Sequence, residues 1–401
     1  MPGPAQQGQM TAQQANMAAR NVVTMNAVKR TQQIFSETVD LSQKNEVRIS
    51  PRNAGLILGF IVNVRTTVDV AASTGTPLTL TPFGPANLLS KIEFDDLNNN
   101  TRVQTSGWHM HFVNSARQGR PYLSNFQLDD YPIAYGSNWR ELMEGTASID
   151  RDESGTANAS WFVPLAYSDK DLRGALYANV VNATASLKLT LNPNAVQSRT
   201  AQGWQEAVYT TTAGGTPPVD VTQNDVVVEV YQVYYDQLPK GNGSVILPML
   251  DLSTIYEIKN TALQGLVANQ DFSIPYSNFR DFLSTFVVYR NRVNDTAGSL
   301  GFINESDVSR WSLETANYTN IFDVDPRYAD MWARQTFQTD PPLGVFYFPT
   351  REKPISTQQY GNMNLVIDAA DVQTGAALLV GYESLALSNV IAQAGSFSTG
   401  S

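Results

Sequence analysis

His109 and His111 are the only imidazoles in this chain and stand two apart in Trp108-His109-Met110-His111. On a strand, residues two apart share a face, so both rings would reach one metal ion. Zinc would still need a further ligand. The chain has no cysteine and no third histidine, which leaves only a carboxylate to complete the set. The expectation is therefore histidines placed by packing and hydrogen bonding, with no metal and no cofactor. Asp96-Leu97-Asn98-Asn99-Asn100 begins like a calcium loop, but that pattern then requires Gly where Thr101 stands and Glu where Gly107 stands. A polar hairpin turn explains the segment better. Glu141 and Glu144 have the spacing of one helix face, and Asp129 and Asp130 are adjacent. Paired carboxylates serve glycoside hydrolysis, yet an acidic protein acquires such pairs by composition. With no glycine-rich phosphate loop and no Gly-x-Ser-x-Gly elbow, no catalytic site is expected.

The elements around these residues are mostly strands. Val62, Val64, Val68 and Val70 alternate with Asn63, Arg65, Thr67 and Asp69, and Leu187, Leu189 and Leu191 alternate with Lys188 and Thr190. That period of two marks half-buried strands. Further strands are predicted over 226–235, 285–289, 345–348, 365–367 and 378–382. Two helices interrupt them. One starts at Ser168 with Asp171 three residues on, a capping-box-like pair, and would bury Leu172, Ala175 and Leu176. The other starts at Asp325-Pro326 and would bury Tyr328, Met331 and Trp332. Residues 197–222 read as one long loop. Leu238-Pro239-Lys240-Gly241-Asn242-Gly243 reads as a linker. A plan that occurs twice, strands with one docked helix, predicts an all-β fold of two tandem barrels or sandwiches. Long loops and the lone helix in each unit favour jelly rolls. The expected units are an N-terminal helical arm (1–35), a first jelly roll (36–240), a second (241–388) and a flexible C-terminal tail (389–401).

Charged residues make up 16% of the chain, low against a usual ~25%, which suits either a surface wet by Asn, Gln, Ser and Thr or flanks covered by neighbours. The net charge of −10 disfavours direct contact with duplex nucleic acid, whose affinity rests on phosphate neutralisation. The charge is uneven. Residues 1–36 hold Arg20, Lys29 and Arg30 and no acid, so they carry +3 and the remainder −13. Helix formers dominate from Thr11 to Gln33. On a helix, Met10, Met17, Met25 and Val28 fall within about 80°, a weak apolar stripe beside the three cations. Those seven residues are the candidate surface for a membrane or a lattice neighbour. No secretory signal is visible. The longest apolar run, Ala54 to Val62, is too short to span a bilayer as a helix.

Several segments carry a family likeness. They include Phe83-Gly84-Pro85-Ala86-Asn87-Leu88, Thr105-Ser106-Gly107-Trp108-His109-Met110-His111-Phe112-Val113-Asn114 and Val163-Pro164-Leu165-Ala166-Tyr167-Ser168. Others are Asp236-Gln237-Leu238-Pro239, Ile246-Leu247-Pro248, Asp251-Leu252-Ser253-Thr254, Lys353-Pro354-Ile355 and Gln359-Tyr360-Gly361-Asn362. In number and order they resemble the major capsid protein of tectiviruses, membrane-containing bacteriophages of the double jelly-roll lineage. The resemblance implies two eight-stranded jelly rolls side by side and a homotrimeric, pseudo-hexagonal capsomer that tiles an icosahedral shell. It also implies an N-terminal helix at the base, towards an internal viral membrane and minor capsid proteins. The protein would then be made in the host bacterial cytoplasm and reside in the virion capsid. The competing reading is a carbohydrate-binding or hydrolytic double β-sandwich protein, since such folds also host hydrolases and lectins.

Overall fold

The structure, a computed structural model, describes residues 11–387 apart from 72–74, 82, 119–142, 179–183, 200, 202, 212–219, 265, 268–269, 277–278, 291–307, 317–319, 338–343, 352, 371 and 373–375. Two units repeat one strand permutation. The first unit's eight main strands are, in chain order, Val28–Val39, Glu46–Ile49, Leu56–Val70, Leu89–Asp95, Thr101–Thr105, Glu153–Pro164, Ser186–Leu191 and Val226–Asp236. They pair first-eighth-third-sixth in one sheet and second-seventh-fourth-fifth in the other. The second unit's are Thr254–Gln264, Gln270–Pro275, Arg280–Arg290, Val308–Thr315, Asn320–Val324, Val345–Pro349, Met363–Ala369 and Ala377–Leu387. They take the same two orders, again with every neighbour antiparallel. Each unit is a jelly roll.

The alternation that predicts these strands is the alternation they bury. Along Leu56–Val70, Val62, Val64, Val68 and Val70 point inward with at most 3% exposure, and Thr66 joins them. Each inward valine contributes roughly 1.5–3 kcal/mol. The candidate calcium loop is a hairpin turn, in which Asp96 Oδ1 accepts the N–H groups of Asn98 (2.8 Å) and Asn100 (3.0 Å). The expected linker also forms a hairpin. Lys240–Gly241 pairs with Ser244–Val245 around Asn242 and Gly243, both at positive φ, which the two-residue turn demands. Within the expected 197–222 loop lie a 3-10 turn at Trp204–Glu206 and strands Tyr209–Thr211 and Val221–Gln223. Gly214-Gly215 and Pro217-Pro218 fall outside the described residues.

The helices require three corrections. Ser168 does accept the Asp171 N–H at 2.9 Å, but no helix follows. Asp171 turns its carboxylate to Arg173, and Gly174 adopts φ +89, which ends any helical path. Leu172 and Ala175 still fill an apolar cluster with Val23 and Val233. The second helix is present as Pro326–Phe337, but its buried residues among those described are Pro326, Ala329 and Ala333, while Tyr328 and Met331 stand exposed. The first unit's helix is Gly107–Gln118, so the histidine pair lies on a helix and not on a strand. Both helices join the fifth strand of their unit to the sixth.

That first helix sits at the seam between the rolls. Thr101–Thr105 pairs in parallel with Thr254–Gln264, through Val103↔Ile258 and Gln104↔Lys259, and so fuses sheets of both units into one. Gly107 begins the helix because a Cβ there would meet the Ala86 carbonyl at 2.1 Å. Phe112 stacks on Phe286 of the second unit with ring centroids 5.3 Å apart. His109 lies edge-on to the same ring and directly over Gly381. A Cβ on Gly381 would come within 2.1 Å of His109 Nε2. Gly381→Ala should therefore cost roughly 2–3 kcal/mol by overpacking. In a His109→Ala background the same change should cost less than about 1 kcal/mol, because contacting residues couple. Denaturant unfolding of the four proteins checks the cycle.

Candidate functional site

Within the seam lies a buried carboxylate. Glu383 has no exposed surface and accepts hydrogen bonds from the Tyr256 hydroxyl, from Arg351, and from Ser284 Oγ at 2.8 Å. Arg117, on the first unit's helix, approaches Glu383 to 3.8 Å and donates to Tyr256 Oη at 2.7 Å. It also donates to the carbonyls of Ala166 and Tyr167, at 3.1 and 2.6 Å. Burial pushes the Glu383 carboxyl up, but the Arg351 and Arg117 charges and the Tyr256 and Ser284 hydroxyls outweigh it. The group therefore stays below the ordinary carboxylate range. Burial lowers Arg351, and the Glu383 charge more than restores it. The cluster ties the helix of one unit to three strands and a loop of the other. Its geometry holds parts in place, and among the described residues no His, Cys, Asp or Glu cluster is arranged to hold a metal ion.

The sequence-derived candidates occupy different places. His109 and His111 point apart, being two residues along a helix, about 200° around its axis. His109 Nδ1 meets Thr105 Oγ1 at 2.5 Å, and its Nε2 has no hydrogen-bond partner among the described residues. Glu144 is exposed on the Met143–Gly145 strand, whereas Glu141, Asp129 and Asp130 lie outside the described residues. Met10 lies outside them too. The arm helix runs Ala12–Asn26, and Thr11 and Gln14 close a capping box at its start. It stops short of Gln33 because Val28–Val39 is needed as a sheet strand beside Val226–Asp236. Val28, Lys29 and Arg30 are therefore strand residues.

The buried face of the arm helix is Asn16 and Val23, not the methionines: Met17 is 57% exposed and Met25 81%. Arg20 grips buried Asp251 by two hydrogen bonds of 2.6 Å, and Asn16 both donates to Asp251 and accepts the Leu250 N–H. The Asp251 hydrogen bond holds Arg20 above its usual range. Lys29 pairs with Asp169, and Arg30 with Asp236 at 2.8 Å. All three arm cations thus have carboxylate partners on the body.

Sequence reasoning missed Glu383, Arg351, Arg117, Tyr256 and Asp251 as a functional set. Gly381 two residues before Glu383 was the available signal, since glycine inside a strand marks a close approach.

Two jelly rolls of identical permutation, fused along one sheet by a buried polar cluster, define a double jelly-roll protein. The family model for the P3 major capsid protein N-terminal region matches residues 3–238, and that for its C-terminal region matches 253–399. The chain is 37% identical to the major capsid protein P3 of Enterobacteria phage PRD1, over 99% of this chain and 98% of that one. In fold it is similar to the major capsid protein of STIV (TM-score 0.60, 11% identity, covering 90% of this chain and 97% of that one). It is also similar to PBCV-1 VP54 as fitted into the virophage Sputnik (TM-score 0.53, 12% identity, covering 90% and 94%). The chain belongs to the P3 major capsid protein family. It is a major capsid protein, and its place is the virion capsid. Among the described residues no helix is long and apolar enough to cross a membrane.

The two buried histidines of helix Gly107–Gln118 are expected to make the fold acid-sensitive. Burial pushes His109 down to about 3, with the Glu383 charge opposing it, and His111 down to about 4. Both stay neutral in the folded chain, while the unfolded chain protonates them below about pH 6.5. Unfolding therefore takes up protons, and stability falls as pH drops from about 6.5 towards 4, by roughly 1.4 kcal/mol per unit per histidine. The lowered carboxyl of Glu383 acts in the same direction at lower pH. Calorimetry at pH 5.5, in two buffers of different ionisation enthalpy, should register between one and two protons bound per chain on unfolding.

Proposed function

We propose that three copies close head to tail into a ring of six barrels, a pseudo-hexagonal capsomer that tiles an icosahedral shell over an internal membrane. The observation that carries this reading is the repeated permutation with a non-repeated junction. One roll is fastened to its successor along a sheet edge, and the second roll ends in an equivalent edge with no strand beside it among the described residues. A closed ring makes such a contact heterologous and satisfies every edge. The protein works by filling space, without a catalytic step. The units of this reading are the arm, the two rolls (to 240 and 241–388) and the tail (389–401), the expected arm range of 1–35 overlapping the first roll's opening strand Val28–Val39. Light scattering of the purified chain at micromolar concentration should give a mass near three times 44.0 kDa. A monomer would overturn the ring.

The same reading directs the arm towards the internal membrane and minor capsid proteins. Met10, Met17, Met25 and Val28 supply an adaptable apolar surface, and Arg20, Lys29 and Arg30 fix the arm to the body. The net charge of −10 supports no direct role for nucleic acid. Deleting residues 1–26 should leave the trimer intact and abolish flotation with liposomes containing about one-third anionic lipid. Flotation equal to that of the full chain would remove the membrane from the arm's role.

A further inference from the structure

The chain contains one complete example of how a roll docks on its neighbour, and it leaves the second example half built. Inside the chain, helix Gly107–Gln118 places His109, Phe112 and Ala116 within about 60° of its surface against the second roll. Phe112 stacks on Phe286, which belongs to that roll's third strand and pairs with Tyr347 of its sixth. The second roll has the equivalent helix, Pro326–Phe337, between the equivalent strands. Aligned from their first residues, His109, Phe112 and Ala116 correspond to Tyr328, Met331 and Gln335. All three are exposed, Tyr328 by 53% and Met331 by 44%. The helix buries its other face on its own roll and leaves outward the stripe that its counterpart buries.

The missing seat is present on the first roll. A cleft of about 390 Å³ opens on its first-eighth-third-sixth sheet, the counterpart of the sheet that carries Phe286 and Tyr347. Ile61 of the third strand and Phe162 of the sixth are cross-strand partners there, as Phe286 and Tyr347 are in the second roll. Val233 of the eighth strand and the Thr31 side chain of the first complete the floor, and the Lys29–Asp169 pair also lines the cleft. Ser115 Oγ, on a residue 1% exposed, borders the cleft without a hydrogen-bond partner among the described residues. A tyrosine fits such a site, with its ring on the apolar floor and its hydroxyl at the polar wall. The free edges agree. In the chain, Thr101–Thr105 runs parallel beside Thr254–Gln264. The corresponding strands, Asn320–Val324 and Val28–Val39, are both outermost in their sheets.

We propose that the cleft on the first roll receives helix Pro326–Phe337 of a second copy of this chain, with Met331 on Ile61 and Tyr328 reaching the Ser115 wall. Asn320–Val324 of that copy then lies along the Val28–Val39 edge. This inference rests on the ring reading above and assigns its interface.

The chain has no cysteine, so introduced thiols report alone. Met331→Cys combined with Ile61→Cys, treated with a short bismaleimide, should give covalent dimers and trimers on a denaturing gel. Either single variant should give far less. Tyr328→Asp with Met331→Asp changes exposed side chains and should leave the unfolding midpoint of the isolated chain unchanged. It should weaken trimer association by roughly 100-fold or more, as loss of an interface anchor does. If the wild type is trimeric but the thiol pair stays uncrosslinked and the aspartate variant stays trimeric, this interface is wrong and the ring stands. A monomeric wild type removes both.

Discussion

A carboxylate taken fully out of water must be compensated where it lies, and Glu383 sets that requirement at the junction of the two rolls. Desolvating an ion costs several kcal/mol even after relaxation. The structure meets the cost with Tyr256, Ser284 and Arg351 as direct donors and Arg117 behind them. Such a cluster adds little net stability compared with well-packed apolar residues, but losing one member strands the others. Its consequence here is geometrical. Arg117 reaches the cluster only if helix Gly107–Gln118 lies at one angle and depth, and that helix also carries Phe112 onto Phe286 and His109 over Gly381. The relative placement of the rolls follows from satisfying one charge.

The same logic of local neutralisation runs through the arm. Read as sequence, Arg20, Lys29 and Arg30 are a basic patch on an acidic protein. In space each meets a carboxylate of the body, and Asp251, 2% exposed, serves both Arg20 and Asn16. Cations already paired attract distant anionic surface weakly, because the pair is a dipole and salt screens it within about 10 Å. What the arm still offers a neighbour is apolar: Met17 and Met25, with Met249 and Leu250 on the segment that holds it.

Much of the fold was legible because strand burial follows a period of two. Every predicted strand core reappears, and the turn at Asp96 forms through the Asx chemistry its residues suggest. The helices were legible only where caps and neighbours agreed. Asp325-Pro326 starts one, whereas Ser168 and Asp171 have the same local chemistry but spend it on a turn closed by Gly174. Helix Gly107–Gln118 escaped because it is buried on nearly all sides, which erases the amphipathic period that sequence reading depends on. Tyr328 and Met331 were read as core because an apolar stripe looks alike whether its partner is the same chain or another. Glu383 and Arg117 lie far apart in sequence, and no local rule joins them.

The two docking surfaces differ in chemistry although their geometry repeats. Within the chain the contact combines stacked aromatic rings with the buried Glu383 cluster, a junction that forms once, during folding, and need not open. On the outer cleft the corresponding floor is Ile61, Phe162, Val233 and Thr31, without a buried ionic centre. Its only charges are the exposed Lys29–Asp169 pair among the lining residues, already neutralised by each other, so the seat can remain wet while the copies are separate. An equivalent carboxylate cluster there would wait for the counterpart of Arg117 to arrive from another chain, leaving its charge incompletely compensated beforehand. Placing the demanding interaction inside one polypeptide and the forgiving one between polypeptides lets the subunit fold as a unit first and assemble afterwards. Tandem duplication of a barrel permits this, because the two copies of the docking site are then free to diverge.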